Sequence, residues 1–238
     1  MSGPHPIRRL ISGLILTLAL GACSSGSGEA TLNAQVAAAI RGIANDRFGA
    51  KPAPPVITRA VLDTLEGSFM EAALESRGNP PAYMFVSARL RDDRPGEIVV
   101  WRTEDNITLS LRNGVLIATR GLGDDLLSSD VAIRAGAPGP AGSGARRWQI
   151  LALDNKAVNL SGACELRDLG PETIEIVGAR HPTRHLQERC EVAGPDGRPG
   201  GSIVNDYWID SRRGLVWQSR QWVSPEVGYL RLRRLTDG

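Results

Sequence analysis

Apolar and polar residues alternate along much of the chain after residue 68. Between Ile107 and Arg112, apolar side chains occupy every second position, and polar side chains occupy the positions between them. This period of two is typical of a strand with one buried face. Similar apolar runs, separated by turn residues, predict further strands. The predicted strands are 83–90, 97–102, 107–112, 115–119, 148–153, 159–166, 172–177, 183–192, 202–209, 215–223 and 229–235.

The turns between these strands have their own signals. Asn113-Gly114 lies between two apolar runs, which is the strongest short signal for a two-residue hairpin. Residues 121–130 fit either a loop or a short helix. Residues 134–144 are rich in Gly, Pro and Ala, so we expect a mobile loop there.

One segment before the strands has helical spacing instead. Leu32, Val36, Ile40 and Ile43 recur at intervals of three and four, and they predict a helix over 31–49. A short helical turn is also expected to begin at Thr58. The expected fold is therefore mainly β: an antiparallel meander curled into an open barrel-like sheet, with an N-terminal helix.

The first residues have the three parts of an export signal. Arg8 and Arg9 precede an apolar run over 10–20, which is followed by small residues and Cys23. Residues 20–23, Leu-Gly-Ala-Cys, resemble a lipobox, so we expect a signal peptide over 1–22 and a lipid on Cys23. This lipid would anchor the protein to a membrane. Residues 23–30 would form a flexible tether, and 56–238 would form a single β-rich domain.

The residue after Cys23 bears on the destination of such a protein. Ser24 is not an aspartate, and by resemblance to enterobacterial sorting rules this favours the inner leaflet of the outer membrane, facing the periplasm. In that oxidising compartment, Cys164 and Cys190 are expected to form a disulfide. If the predicted strand over 172–177 lay flat between the strands of the two cysteines, they would be two strand spacings apart. That distance is too large for a disulfide. Either the sheet curls strongly there, which we prefer, or one predicted strand is misplaced.

Composition and motifs exclude several classes of function. The net charge of +2 is too small to indicate a nucleic-acid partner. His181 and His185 are four residues apart, but Pro182 and a strand-like pattern favour solvated histidines over a metal site. Gly121-Leu122-Gly123 lacks the third glycine of a nucleotide loop. We therefore expect neither metal nor cofactor.

Two sets of residues are candidates for contact with a ligand. Asp124 and Asp125 could serve a polysaccharide hydrolase or lyase, but neighbouring residues of a strand point to opposite faces, and Asp124 fits the start of a turn. Tyr229, Arg231 and Arg233 share one face of a strand and could hold an acidic glycan or a partner protein. In the alternative, the arginines form only a solvated face and most tryptophans belong to the core.

Several stretches resemble one family. Residues 111–126, LRNGVLIATRGLGDDL, resemble the central signature of the YjbF/GfcB lipoproteins, and 101–103, 217–225 and 228–229 fit its flanking patterns. The resemblance implies a role in producing or exporting an extracellular or capsular polysaccharide. It implies no catalytic residue.

These observations together predict a non-enzymatic lipoprotein, tethered to the outer membrane, that assists exopolysaccharide or capsule production or export. Its expected partners are the membrane, through the lipid, and either an acidic polysaccharide or other envelope proteins of the export system. Two alternatives stay open: a polysaccharide-modifying hydrolase or lyase, and a carrier of lipids or lipoproteins with a hydrophobic groove.

Overall fold

The structure is a computed structural model, which describes residues 57–78, 80–152, 154–193 and 199–236. The predicted signal peptide, Cys23, the tether and the predicted helix over 31–49 lie outside the described residues. Within the described ranges, no helix has the length and apolar character that crossing a bilayer would require.

The described chain consists almost entirely of strands. One short helix, α1 (Arg59–Leu62), comes first, and its N-cap is Thr58, whose hydroxyl accepts a hydrogen bond from the Val61 amide. The helical turn predicted at Thr58 is therefore confirmed. A 3₁₀ turn covers Glu75–Arg77. The strands are β1 (Phe69–Leu74), β2 (Pro81–Leu90), β3 (Ile98–Arg102), β4 (Thr108–Arg112), β5 (Val115–Arg120), β6 (Asp125–Asp130), β7 (Gly144–Leu151), β8 (Ala157–Ile176), β9 (Ala179–Ala193), β10 (Pro199–Asp210), β11 (Leu215–Ser224) and β12 (Gly228–Arg234).

All twelve strands form one antiparallel sheet that is nearly closed into a barrel. Its order is β5-β4-β3-β2-β1-β12-β11-β10-β9-β8-β7-β6. Neighbours in the sheet are also neighbours in sequence, except for β1 and β12, which pair from Met70–Arg234 to Leu74–Leu230. The prediction of a barrel-like antiparallel meander is confirmed.

The two edge strands, β5 and β6, follow each other in sequence and meet at a seam. Side chains bridge this seam in place of a backbone ladder. Asp125 accepts hydrogen bonds from the Thr119 hydroxyl (2.8 Å) and from the Gly121 amide (2.8 Å), and the Thr119 hydroxyl accepts from the Leu126 amide (2.9 Å). Buried Gln221 of β11 accepts from the Leu116 amide at 2.8 Å. Edge groups that would otherwise be unpaired are thereby satisfied.

The segment over 121–130 is not a loop or a helix throughout, because its second half is strand β6. This strand pairs only with β7, from Asp125–Leu151 to Asp130–Arg147.

The segment over 134–144 also differs from the expected mobile loop. Pro138, Gly139 and Pro140 are buried, and the Gly139 amide donates to the Asn113 carbonyl at 2.8 Å. Asn113 also donates from its side chain to the carbonyls of Arg134 and Ala137.

The hairpin predicted at Asn113-Gly114 is confirmed. Arg112 pairs with Val115, which leaves a two-residue turn, and both turn residues have positive φ, 47° and 85°. A Cβ on Gly114 would lie 2.3 Å from Cγ2 of Val216. The turn therefore needs glycine for its backbone conformation and for its close approach to β11.

The disulfide between Cys164 and Cys190 is present, with 3.9 Å between the Cα atoms. The preferred explanation, a strong local curl, is wrong. The stretches over 159–166 and 172–177 are one strand, β8, which continues through an irregularity between Asp168 and Gly170. As a result, the two cysteines are direct partners in adjacent strands.

The interior of the barrel divides into two halves. The apolar half lies under β1–β5 and β12, where Met84, Trp101, Leu109 and Leu116 are almost completely buried. The polar half lies under β6–β11, where apolar side chains share the interior with buried polar residues. These polar residues are Ser129, Arg146, Glu188, Asn205, Tyr207, Ser219 and Gln221.

Candidate functional site

The barrel mouth is the open end where the β4–β5 and β10–β11 turns lie. It contains a pocket of about 260 Å³ that runs into the apolar half of the interior. Mouths of β-barrels are frequent ligand sites. The polar and aromatic side chains that line the pocket include Arg89, Glu97, Trp101, Trp217, Ser219 and Arg234.

Two tryptophans form walls of this pocket. Trp101 and Trp217 are only 3% and 2% exposed. Trp101 faces inward because β3 pairs with β4 at Trp101–Leu109 and Val99–Leu111, so that these four residues share one face. The ring of Trp217 stacks on His181 at 3.8 Å between centroids. Within the described residues, the indole Nε1 of Trp217 is buried and has no hydrogen-bond acceptor.

Two arginines and one carboxylate supply the charge of the pocket. Arg89 forms an ion pair with Glu97 at 3.0 Å. Arg234 lies over the Trp101 ring, 5.6 Å from its centroid. Both arginines donate to the Ser68 hydroxyl at 3.3 Å. The lining of the pocket therefore contains two guanidinium groups and one carboxylate beside two tryptophan rings.

The predicted contact residues Tyr229, Arg231 and Arg233 do lie on one face of β12, but two of them have internal partners. Arg233 forms a bidentate pair with Glu71 (2.6 and 2.8 Å). The Tyr229 hydroxyl accepts from the Val204 amide at 3.1 Å. Arg231 differs, because its Nε is buried without an acceptor in the described part of the chain.

Tyr229 supports the sheet where β10 and β11 stop pairing. Pairing between these strands ends at Asp206–Arg220, so Val204 lacks a partner in β11. Tyr229 binds the Val204 amide, and Arg220 donates to the Val204 carbonyl at 3.3 Å. Arg220 also lies 3.5 Å from the centroid of the Tyr229 ring and pairs with Glu75. These contacts give the amide and carbonyl of Val204 the hydrogen bonds that β11 does not supply.

Asp124 and Asp125 are both buried, at 7% and 8% exposure. The two oxygens of Asp125 accept from Thr119 of β5 and from Gly121 and Leu122 of the β5–β6 turn. This carboxylate holds the seam of the barrel and is fully engaged there.

The histidines considered as metal ligands stack on tryptophans. His181 stacks on Trp217, and His185 stacks on Trp208 at 4.4 Å. His185 also contacts Asp206 at 2.9 Å and Glu172 at 3.2 Å. Both histidines are half-buried, so the expectation that they are solvated is wrong.

A cluster in the polar half is the remaining group with unusual electrostatics. Glu188 pairs with Arg146, accepts from Asn205 at 2.9 Å, and lies beside the disulfide. Burial opposes the charged form of Arg146, but Glu188 and Tyr207 outweigh it and raise the pKa of Arg146. Burial, and then the charge of Glu188, raise the pKa of Tyr207. With its sulfurs bonded and its carboxylate paired, this group stabilises the interior and leaves no metal ligand open.

Reasoning from the sequence missed the mouth pocket. The alternation in β3 and β4 indicates which of their residues face inward, including Trp101. It gives no signal that Arg89, Arg234 and Trp217 converge on the same space, because that depends on closure of the sheet between strands far apart in sequence.

Comparisons with known proteins identify similar structures and the family of the chain. The crystal structure of the hypothetical lipoprotein YmcC from Escherichia coli has a similar fold: it is 21% identical, the match covers 90% of this chain and 98% of that one, and the TM-score is 0.67. An exported protein of YmcC-like fold from Bacteroides fragilis matches at 8% identity over 71% of this chain and 92% of its own, with a TM-score of 0.36. A search of curated proteins finds no match. The family model described as group 4 capsule polysaccharide lipoprotein GfcB, YjbF matches residues 30–235. The chain therefore belongs to the YjbF family of capsule polysaccharide lipoproteins.

Proposed function

We propose that this protein is a non-enzymatic, lipid-anchored accessory of capsule or exopolysaccharide production or export. It would be tethered by Cys23 to the inner leaflet of the outer membrane and would face the periplasm. The observation that carries the proposal is the match of the capsule-lipoprotein family to residues 30–235, which include all twelve strands.

The geometry favours binding over cleavage. A glycosidase uses two carboxyl groups that face each other across a cleft. Asp125, one of the two aspartates considered for that role, has both oxygens engaged in the turn that closes the barrel. The barrel mouth instead combines aromatic walls with arginine side chains, which suits recognition of an acidic glycan.

The geometry also disfavours the lipid-carrier alternative. Side chains fill the apolar half of the interior, with Met84, Leu109 and Leu116 all at 1% exposure or less. The pocket at the mouth is small and carries three charged residues. We therefore propose the glycan, or a partner protein that presents it, as the molecule contacted. Half-buried Arg231 is retained as a second contact point.

A deletion strain tests the proposal. Secreted or capsular polysaccharide is measured in the deletion strain and after complementation with wild type, Cys23→Ala or the neighbouring control Ser24→Ala. We expect the deletion to reduce polysaccharide, wild type and Ser24→Ala to restore it, and Cys23→Ala to fail. Unchanged polysaccharide in the deletion strain would refute the proposed role.

Two further measurements test the anchor and the lack of catalysis. Labelled palmitate is expected to enter wild type but not Cys23→Ala, and membrane fractionation is expected to place wild type in the outer membrane. Incubation of the purified protein with the strain's own polysaccharide is expected to release no new reducing ends. Release of such ends, lost in Asp125→Asn, would instead support the hydrolase.

A further inference from the structure

We propose that the outer surface of β6, β7 and β8 binds a stretch of a polysaccharide chain through its sugar hydroxyls. The site is a depression of about 430 Å³ in this surface, which we call the outer depression. This inference rests on the proposed function, since it takes the glycan as the partner. It adds a site distinct from the barrel mouth and the chemical groups recognised there. The outward-facing residues that line it are Ser128, Asp130, Arg147, Gln149, Asn159 and Ser161.

The register of the sheet brings these residues together in two neighbouring rows. In the first row, Ser128 of β6 lies opposite Gln149 of β7, which lies opposite Asn159 of β8. The second row consists in the same way of Asp130, Arg147 and Ser161. Trp148, which separates the rows on β7, is 1% exposed, so the side chains on either side of it face outward. Directly opposite Cβ atoms are roughly 4.5–5.5 Å apart, which is close to the repeat of sugar rings along an extended polysaccharide.

Four of these side chains are uncharged and free to bind a ligand. The hydroxyls of Ser128 and Ser161 and the amides of Gln149 and Asn159 are exposed, and they form no hydrogen bond with any other residue in the described part of the chain. An amide side chain offers two donor hydrogens and an acceptor oxygen, and a hydroxyl both donates and accepts. Sugar hydroxyls have the same two capacities, so the two sets of groups are complementary.

Neighbouring parts of the outer surface are organised differently. On β8 and β9, exposed charged side chains pair within their own strand, Glu165 with Arg167 at 2.8 Å and Arg189 with Glu191 at 3.1 Å. The uncharged groups of the outer depression have no such counterpart within the described ranges.

The lining also favours a glycan over an ion or a protein. Its two charged side chains, Asp130 and Arg147, have opposite signs and lie 3.8 Å apart, so they do not select one sign of ligand charge. None of the six outward-facing residues is aromatic or aliphatic, whereas aromatic anchors dominate binding between proteins. The volume lies within the range of roughly 300–1,000 Å³ for small-molecule sites, which are mostly apolar. A polar lining of this size suits a short stretch of a ligand that is polar over its whole surface.

Binding of the strain's own polysaccharide tests this inference. Polysaccharide purified from the wild-type strain is sheared, labelled with a fluorophore and titrated with full-length lipidated protein in detergent. Fluorescence anisotropy gives the affinity. We expect Gln149→Ala and Asn159→Ala each to weaken binding about threefold to tenfold, because each removes hydrogen bonds between uncharged groups. The double variant should lose more than either single one.

Matched variants assign the binding to the outer depression. Thr173→Ala removes another exposed, uncharged polar group from β8 outside the depression, and it should leave affinity within about twofold. Ser161→Phe keeps both amides but fills the depression, and it should weaken binding as well. The fold-loss of the double variant should be the same at low and at high salt, since salt screens charges and not hydrogen bonds between neutral groups. Thermal unfolding of each variant verifies that it is folded.

Three results would overturn the inference: no binding of the polysaccharide by wild type at about 0.1 mM protein, equal effects of the double variant and Thr173→Ala, or a fold-loss that disappears at high salt. Capsule measurements separate this failure from that of the proposed function. If the deletion lowers capsule while wild type binds no polysaccharide, the outer depression is refuted and the accessory role stands. If the deletion leaves capsule unchanged, the accessory role fails, whatever the affinities are.

Discussion

The two halves of the barrel interior are built in different ways. In the apolar half, Leu109, Met84 and Leu116 are buried without any charged partner. In the polar half, the buried pair of Arg146 and Glu188 connects β7 with β9 and is supported by Asn205 and Ser129. Apolar burial stabilises a fold with little demand on orientation, whereas a buried ion pair requires a particular geometry. The polar half should therefore be the less tolerant of single substitutions.

The strongest test of this difference is removal of one member of the buried ion pair. Glu188→Leu leaves Arg146 buried without its counter-charge, and we expect a loss of about 3–5 kcal/mol in the free energy of unfolding. The double variant Arg146→Met with Glu188→Leu should lose less than the single one, because no unpaired charge remains. Urea denaturation at pH 7 measures both. A double variant less stable than the single one would show that the pair does not behave as a unit.

A truncation in the apolar half provides the counterpart. Leu109→Ala is expected to cost about 2–4 kcal/mol, from lost burial and the cavity left behind. Leu90→Ala is the control, because Leu90 is 51% exposed, and it should change stability by less than about 0.5 kcal/mol. Chemical denaturation gives both values. If Leu109→Ala cost as little as its control, the apolar half would not be the tightly packed region described above.

A third prediction concerns the contact between the halves, where Gly114 of the β4–β5 turn approaches Val216 of β11. Gly114→Ala should cost about 2–4 kcal/mol, because it adds a clash to an unfavourable backbone conformation. Gly178→Ala also has positive φ but nothing within 4 Å, so it should cost only about 1–2 kcal/mol. The difference in melting temperature isolates the clash. Equal losses would mean that the approach of the turn to β11 is loose.

The smallest expected effect comes from an ion pair at the rim of the apolar half. Hydrogen bonds from Arg112 hold the pKa of Asp92 well below its usual range. Because the folded-state pKa is lower than the unfolded one, the stabilisation is complete above the unfolded pKa and disappears as pH falls toward the folded one. Asp92 is exposed, so the loss should be slight. Stability of wild type and Asp92→Asn, followed from pH 7 to about pH 2, should converge in acid, and a constant difference would contradict this.

Local patterns predicted some of these features and missed others. Asn113-Gly114 identified its hairpin because turn chemistry acts over four residues. The predicted separation of strands 159–166 and 172–177 does not occur, since Gly170, with φ of 102°, accommodates an irregularity within β8. Strand β6 was missed because its sequence, DLLSSD, is largely polar. One of those polar residues, Ser129, faces the interior and accepts from Arg146, a contact that only the folded barrel creates.

The candidate site shows the same limit. Alternation in β3 places Trp101 on the inner face, and that much follows from the sequence. The meeting of Trp101 with Arg234 and Trp217 requires that β12 and β11 return beside β1. Charge and aromatic content alone predicted Tyr229 and Arg233 as contact residues. In the structure, the polar groups of both have internal partners.

The pairing of β1 with β12 also constrains when the protein can finish folding. Every other neighbouring pair of strands can form as soon as the chain between them has been made. β1 lies between β2 and β12, so its second edge stays unpaired until β12 is available to pair with it. Closing so long a segment carries a large entropic cost and slows folding. A chain truncated before residue 228 would lack β12 and expose that edge, and with it a surface on which such chains could aggregate.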